Sequence, residues 1–291
     1  MDATTATLPP WTVTRRMTGD TTPSPADGTP PSDRIDSTRP HSARVWDYWL
    51  GGKDNYEVDR ELGEQIARTN PHVVAMVRAD RTFMRRSVTF LAEQGVRQFL
   101  DIGTGLPTEP NVHQVAQAVA PDSRVVYVDH DPVVLAHARA LLNSSPSGAT
   151  SYLDADLREP GRILADASRT LDLDRPVGIT LMSLMHFVTD FGDARAILWR
   201  LLDAVPSGSW LAFTHATAEL GGPQVREAFR EWNENAVQKA QPRDRDEVAA
   251  LIEGLEPVEP GLVSPPAWRP DGAGGPEPRE VPMWAAVARK P

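Results

Sequence analysis

Cysteine is absent from the sequence, which excludes disulfide bonds, thiolate metal ligands and cysteine nucleophiles. A reducing cytoplasm is therefore the expected compartment. The chain also lacks any run near the roughly 18 apolar residues that a membrane-spanning helix needs. No apolar segment follows Arg15 and Arg16 to form a secretion signal. We expect a cytoplasmic protein without a membrane partner.

Basic clusters are lacking as well. The 291 residues include 30 Lys and Arg against 40 Asp and Glu, which gives a net charge of -10. Nucleic-acid-binding proteins usually carry a basic surface with interleaved aromatic residues, and the sequence has no such stretch. A nucleic-acid partner is therefore not expected, whereas a cationic small molecule suits the acidic chain. No spacing of acidic residues and histidines in the sequence indicates a metal site.

The distribution of residue types divides the chain. Residues 1–38 are rich in Thr, Pro, Ser, Asp and Gly, and we predict a disordered tail because such a stretch buries little apolar surface. Residues 39–291 are predicted to form a single domain. Within it, 39–95 should be a helical N-terminal extension, with helices near 42–50, 57–69 and 72–94, and 96–291 should be an α/β core.

In the core, strand-like apolar runs alternate with amphipathic segments. The runs are FLDIG, VVYVD, TSYLD, VGITLMS and WLAFTHA, followed near the C-terminus by MWAAVARK. The helical segments between and after them lie near 111–120, 132–142, 159–170, 193–204, 223–240 and 244–254. This alternation predicts a twisted, mostly parallel sheet with helices on both faces, which is a Rossmann-like α/β architecture.

The stretch DIGTGLPT follows the first core strand. Ligands of open α/β sheets bind at this edge, and Gly103 and Gly105 would let the backbone approach a ligand closely. A dinucleotide-binding turn would place a third glycine where Thr108 stands and would begin its helix at once. Here Asn111 and Gln114 form a possible capping box, which predicts a later helix start. The turn therefore favours a ligand other than a dinucleotide.

Carboxylates follow three successive strands. Asp101 precedes the glycine turn, where it would repel a pyrophosphate and attract a cation. Asp129 ends the second strand, where a carboxylate can accept both ribose hydroxyls. Asp156 follows the third strand within reach of an adenine amino group, although with Glu159 it could form a capping box instead. S-adenosylmethionine is cationic and has no phosphate, so the three carboxylates favour it over NAD.

Several long stretches resemble the actinobacterial S-adenosyl methyltransferase family, whose substrates are largely unknown. They are RVWDYWLGGKDNYEVDRE, QFLDIGTGLPTEPNVHQVAQ, VVYVDHDPVVLAHARALL and MHFVTD, and the resemblance runs from about His41 to the C-terminus. It implies a class I, Rossmann-like methyltransferase fold with an antiparallel last strand. It also implies S-adenosyl-L-methionine as cofactor and S-adenosyl-L-homocysteine as product.

The resemblance implies cofactor contacts on the glycine turn and at the strand ends. The predicted contacts of the core are Asp101, Gly103, Thr104, Gly105, Asp129, His130, Asp156, Leu157 and Ser183. The aromatic segment WDYWLGGKDNY is predicted to be a lid over the cofactor, with contacts from Tyr48, Asn55 and Tyr56. Ordinary packing of these aromatic residues is the alternative interpretation.

Two histidines are candidate general bases. A base is needed only if the acceptor loses a proton during attack. His186 follows the fourth strand in MSLMHFVTD, and His215 closes the fifth strand in AFTHA. His186 is the preferred candidate, and for each the alternative is a structural histidine that is hydrogen-bonded to the backbone.

Together these features predict an S-adenosylmethionine-dependent methyltransferase that acts on an O or N atom of a small or medium-sized metabolite. The absence of cysteine excludes methylation of pyrimidine C5 through a thiolate adduct. A non-catalytic sensor that binds the cofactor is the alternative, and an NAD-dependent oxidoreductase is less favoured. The acceptor, the oligomeric state and the choice between Met1 and Met17 as the start do not follow from the sequence.

Overall fold

The computed structural model describes residues 35–141, 144–270 and 279–291. Residues 1–34 of the predicted disordered tail, 1–38, lie outside these ranges, and for them the disorder stays a prediction. Within the described part, Ile35 packs against an apolar cluster around Leu106 and Val134.

The helices and strands follow the predicted order. The helices are α1 (Ser42–Leu50), α2 (Glu57–Thr69), α3 (Val73–Glu93), α4 (Val112–Val119), α5 (Pro132–Leu141), α6 (Pro160–Ala167), α7 (Phe191–Asp203), α8 (Pro223–Asn235) and α9 (Arg245–Leu251). The strands are β1 (Gln98–Ile102), β2 (Arg124–Asp129), β3 (Ala149–Asp154), β4 (Gly178–Leu181), β5 (Trp210–Ala216), β6 (Glu256–Pro257) and β7 (Met283–Arg289). The two-residue strand β6 was not predicted, and α8 ends five residues before the predicted 240.

One sheet contains all these strands in the order β3-β2-β1-β4-β5-β7-β6. Strands β1 to β5 pair in parallel, while β7 runs antiparallel to both β5 and β6. This confirms the predicted mostly parallel sheet with an antiparallel last strand. The chain crosses from β3 back to β4 beside β1, so the topological switch point lies between β1 and β4. Ligands of such sheets bind at that point.

Helices cover both faces of the sheet. Every residue of β1 is buried, as expected of a parallel strand with helices on both sides. On one face, apolar side chains of the sheet pack with α6, α7 and α9. On the other face they pack with α3 and α4, where Trp268 contacts Phe83 and Phe90 edge to face.

The N-terminal helices α1, α2 and α3 form a third apolar cluster together with α8. Helix α1 ends where Gly51 adopts φ 84°, a left-handed conformation that glycine accepts at little cost. A buried ion pair joins α1 to α2: Arg44 Nε lies 2.9 Å from Asp59 Oδ2, and both side chains are at most 4% exposed. Asp59 also accepts the backbone N–H groups of His41 and Tyr56.

We expect Arg44→Ala to lower the free energy of unfolding by about 3–5 kcal/mol, because it leaves the Asp59 carboxylate buried without its charge partner. Arg68→Ala is the matched control: its ion pair with Glu64 is 3.8 Å long and mostly exposed, so the variant should unfold like the wild type. Urea denaturation of the three proteins measures the difference. Equal losses in both variants would contradict this account of the Arg44 pair.

Candidate functional site

A deep pocket opens at the carboxyl edge of the sheet. Its floor consists of residues at or just after the ends of β1 to β5, among them Gly103, Asp129, Asp156, Ser183 and Ala216. Its cover consists of side chains from α1, α3 and α8. The parallel strands of the core and the N-terminal extension therefore build the pocket together.

The two glycines of the turn, Gly103 and Gly105, have different surroundings. Gly103 has φ 75° and Gly105 has φ 62°, both in the left-handed region. A Cβ atom at Gly103 would lie 2.6 Å from Leu184 Cδ1, whereas a Cβ at Gly105 would meet no atom within 4 Å. Gly103 thus lets the turn pack against the end of β4. Gly105 faces open space, and its N–H donates to Asp129 Oδ2 at 2.9 Å.

Asp129 and Asp156 both line the pocket. Asp129 Oδ1 accepts the N–H groups of His130 at 2.8 Å and Asp131 at 2.9 Å, which fix the carboxylate at the end of β2. Asp156 Oδ1 accepts the N–H of Arg158 at 2.8 Å. Helix α6 takes Glu159 as its N-cap residue, so Asp156 is not part of a capping box. Thr104, His130 and Leu157 also line the pocket.

Asp101 faces away from this pocket. It stands directly opposite Thr180 in the β1–β4 register, and its Oδ1 accepts the Thr180 hydroxyl at 2.5 Å. Burial raises the pKa of Asp101 to about 6, against the hydrogen bond from Thr180 and the charge of Arg81, which lower it. Asp101 lines a small separate recess behind the turn and is not among the residues that line the main pocket. The expectation that its carboxylate meets the ligand directly therefore lacks support in the geometry.

Asp80 of α3 is a second buried carboxylate of this region. Its side chain lines the pocket and is 2% exposed. Oδ1 accepts the hydroxyls of Thr214 at 2.5 Å and Ser183 at 3.2 Å. Within the described part of the chain, no donor lies within hydrogen-bond distance of Oδ2. Burial raises the pKa of Asp80 to about 6, although these hydrogen bonds and Arg81 oppose the rise.

Ser183 holds a strained position between Asp80 and the sheet. It has φ 51°, a conformation that costs a residue with a side chain about 1–3 kcal/mol. Its N–H donates to Thr214 Oγ1 at 2.8 Å, and the Thr214 hydroxyl in turn donates to Asp80. This strained residue lies where β4 meets the pocket, and backbone strain is common at functional sites.

Helix α1 reaches the pocket through one face, which carries Ser42, Trp46, Trp49 and neighbouring residues. Tyr48 faces α2 instead, where its hydroxyl donates to Glu64 Oε1 at 3.3 Å.

The loop after α1 also turns its side chains elsewhere. Asn55 donates to Asp47 Oδ2 at 2.7 Å, and the partly exposed Tyr56 ring lies under the Arg44 guanidinium. The extension thus covers the pocket, but among the described residues the predicted contacts Tyr48, Asn55 and Tyr56 do not line it.

The two candidate bases differ in their surroundings. His186 lines the pocket, is 5% exposed, and its Nδ1 has no hydrogen-bond partner among the described residues. Burial, with the neighbouring His215 and Arg243, holds its pKa well below the usual value, so the ring is neutral at physiological pH.

Both ring nitrogens of His215 are engaged. Nδ1 lies 2.8 Å from the carbonyl of Ala216, and Nε2 lies 2.9 Å from Arg243 Nη1. Because arginine only donates, Nε2 accepts and Nδ1 carries the proton. Burial lowers the pKa of His215 to about 3. The geometry fits the structural alternative for His215, whereas His186 is the candidate base that lines the pocket.

No group of three or more His, Asp or Glu side chains in the described ranges could hold a metal ion. The described helices also include none that is long and apolar enough to cross a membrane.

Sequence reasoning missed Asp80 and the Trp46 face of α1. The signal for Asp80 was present, because Asp80 falls on the buried face of α3 with Met76, Phe83 and Met84. A carboxylate at a core position of an amphipathic helix is rare without a partner. In α1, the spacing of Ser42, Trp46 and Trp49 puts them on one helix face, which lines the pocket. Tyr48 falls on another side of the helix.

Comparison with known proteins gives a consistent result. The family model described as S-adenosyl methyltransferase matches residues 28–291. A DUF574 family protein from Streptomyces avermitilis is 47% identical, with 89% of this chain and 100% of that chain covered and a TM-score of 0.85. A proposed methyltransferase from Thermobifida fusca is 39% identical over 87% of this chain and 95% of that one, with a TM-score of 0.79. No curated protein matches.

We expect Gly103→Ala to cost about 1–3 kcal/mol more stability than Gly105→Ala, because both place a side chain at positive φ but only the first overlaps Leu184. Urea denaturation of both variants measures this difference. In a Leu184→Ala background the overlap is gone, so the two glycine variants should lose similar amounts. If the excess cost of Gly103→Ala persists there, the contact with Leu184 is not its cause.

Proposed function

The chain belongs to the S-adenosyl methyltransferase family, and we propose that it moves a methyl group from S-adenosyl-L-methionine to an O or N atom of a small or medium-sized metabolite. The observation that carries the proposal is a covered pocket that joins the strand-end carboxylates to a neutral histidine, His186, whose Nδ1 has no hydrogen-bond partner among the described residues. The net charge of -10 does not favour a nucleic-acid acceptor.

The residues of the pocket fit this cofactor. Gly105 leaves room for a ligand beside the turn. The Asp129 carboxylate suits the ribose hydroxyls, and the Asp156 carboxylate suits the adenine amino group. Leu157 offers an apolar contact to the adenine ring. The pocket has no third glycine for a pyrophosphate, and its acidic floor opposes one. We propose that these residues, with Thr104 and His130, hold the nucleoside part.

Asp80 is proposed to face the cationic end of the cofactor. Asp80 is a buried carboxylate that lines the main pocket, and its Oδ2 accepts no hydrogen bond in the described structure, whereas Asp101 is not among the residues that line this pocket. A buried carboxylate without a charge partner is costly. A cation in the pocket supplies that partner, so it should bind most strongly beside Asp80.

When bound, S-adenosylmethionine supplies an electrophilic methyl carbon, which the acceptor lone pair takes while the C–S electron pair stays on sulfur. The protein then has to align the acceptor and exclude water. The covering helices α1, α3 and α8 suit both tasks. His186 is proposed to accept the proton of the acceptor atom, because its ring is unprotonated at neutral pH. The lowered pKa makes His186 a weak base, so the proton transfers as methyl attack makes the acceptor atom acidic.

Binding of S-adenosylmethionine and S-adenosylhomocysteine, but not of NAD, tests the cofactor part of the proposal. At about a hundred times its Kd, a ligand stabilises by roughly 2.7 kcal/mol, which corresponds to about 5 °C in Tm. Absence of a shift with either adenosyl ligand in folded protein would overturn the proposal. A donor that binds but is not consumed in a mixture of metabolites would favour the non-catalytic sensor.

We expect Asp80→Asn to weaken S-adenosylmethionine binding about 10- to 100-fold, the value of a hydrogen bond to a charged group. Wild-type affinity should fall as the pH drops through about 6, where Asp80 takes up a proton and loses its charge, and the variant should lose this dependence. Titration calorimetry between pH 5 and 8 measures both effects.

Asp101→Asn is the matched control for Asp80. Both acids are buried and both have a pKa of about 6, but only Asp80 lines the main pocket. The Asp101 variant should therefore keep near wild-type affinity and the same pH dependence. If Asp101→Asn weakened S-adenosylmethionine binding more than Asp80→Asn, the contact with the cation would be assigned to Asp101 instead. Circular dichroism of each variant checks that it is folded.

We expect His186→Asn to lower kcat by about 10²- to 10⁴-fold, the usual contribution of a positioned general base. The Kd of S-adenosylmethionine should stay unchanged. Protonation of His186 should not reduce wild-type activity between pH 8 and 6, since its pKa lies well below 6.5. S-adenosylhomocysteine release with an acceptor found by screening is the readout. Unchanged turnover of the variant across this pH range would exclude His186 as the base.

A further inference from the structure

The pocket changes character beneath the helical cover. Near the ends of β1, β2 and β3 its lining includes the polar side chains of Thr104, Asp129, His130 and Asp156, whereas under α1, α3 and α8 most of its large side chains are apolar. The large apolar side chains of this second part are Trp46, Trp49, Met76, Phe187, Phe229 and Trp232. We call this part the aromatic subsite. If the nucleoside lies over β1 to β3, the aromatic subsite is the space left for the acceptor.

The aromatic rings of this subsite form a continuous series. The ring centres of Trp46 and Trp49 are 6.1 Å apart, those of Trp49 and Trp232 are 6.1 Å apart, and those of Trp232 and Phe187 are 6.2 Å apart. The series ends at His186, whose ring centre lies 4.3 Å from that of Phe187. One aromatic wall therefore leads from α1, in the predicted lid segment, to His186, the proposed base.

The indole N–H groups of Trp49 and Trp232 point to the backbone. Trp49 Nε1 donates to the carbonyl of Gly63 at 3.0 Å, and Trp232 Nε1 donates to the carbonyl of Gln238 at 2.8 Å. These rings thus have no hydrogen bond left to offer a ligand. They present apolar surface, which favours contact with another planar ring system.

Carboxylates lie on the α1 and α3 side of the subsite, while the guanidinium groups of Arg158 and Arg243 lie near its His186 end, where protein oxygens accept their hydrogen bonds. Asp80 and Asp47 line the pocket on the α1 and α3 side. The two arginines that line the pocket already donate to protein oxygens: Arg81 donates to the carbonyls of Thr108 and Pro110, and Arg158 donates to Asp156 and to the carbonyl of Phe187. An anionic acceptor would meet carboxylates here, whereas a neutral or cationic one would not be repelled.

We propose that the methyl acceptor is a planar aromatic molecule, neutral or cationic, that binds against Trp46, Trp49 and Trp232 with its reacting atom toward His186. This inference rests on the proposed function, because it assumes that the cofactor occupies the strand-end part of the same pocket. It adds the acceptor's shape and charge, which the family and the fold leave open.

Binding of three probes to the protein saturated with S-adenosylhomocysteine tests the proposal. The probes are 2-naphthol, its saturated analogue decahydro-2-naphthol, and 6-hydroxy-2-naphthoate, with dissociation constants measured by titration calorimetry. We expect 2-naphthol to bind about tenfold or more tightly than either of the others, because it alone is both planar and uncharged. Equal or weaker binding of 2-naphthol would overturn the proposal.

The two proposals fail differently in this experiment. If S-adenosylhomocysteine does not bind, the proposed function itself fails, since the complex does not form. If it binds and the naphthol preference is absent, only the aromatic acceptor is excluded.

Trp46→Leu and Tyr48→Leu are matched variants on the same helix. Trp46 lines the subsite and is only partly buried, so its replacement should leave the protein folded, whereas Tyr48 faces α2. We expect Trp46→Leu to weaken 2-naphthol binding about three- to tenfold without changing S-adenosylhomocysteine affinity. Tyr48→Leu should change neither. Equal effects of the two variants on 2-naphthol would overturn the assignment of the wall.

Discussion

The contact of α3 with the carboxyl edge of the sheet determines the geometry of the site. Two consecutive residues make it. Asp80 accepts hydroxyls from the ends of β4 and β5, while Arg81 donates to the carbonyls of Thr108 and Pro110 in the loop after β1. Neighbouring residues on a helix diverge by about 100°, so the pair ties one helix to both sides of the topological switch point. The N-terminal extension is therefore part of the binding site.

Most of the fold could be predicted from the sequence because it depends on local periodicity. Apolar runs such as VVYVD and capping residues such as Asn111 with Gln114 act within a few residues of themselves, and the structure has β2 and the start of α4 where they indicate. Strand β6 has only two residues, Glu256 and Pro257, and depends on pairing with β7. A strand defined by its distant partner leaves no local pattern.

The candidate site was harder to predict, since its side chains are selected by long-range pairing. Which way Asp101 turns depends on Thr180, 79 residues later, and the two meet only because β1 and β4 are neighbours. Asp80 reaches the pocket because α3 crosses β5 near Thr214. The strand ends themselves were predictable, as Asp129 and Asp156 show, because every parallel strand leaves its last residues at the same edge.

A buried acid that lines a pocket has a consequence for turnover as well as for binding. Partial desolvation disfavours the charged form of Asp80 until a cation arrives, so the ligand charge and the carboxylate stabilise each other. Methyl transfer removes the positive charge from sulfur but leaves the ammonium group. If Asp80 faces the sulfonium, its attraction weakens once the methyl group has left, and product release is favoured. If it faces the ammonium, donor and product are held alike. The ratio of the Kd values of S-adenosylmethionine and S-adenosylhomocysteine therefore shows which of the two groups, sulfonium or ammonium, lies beside Asp80.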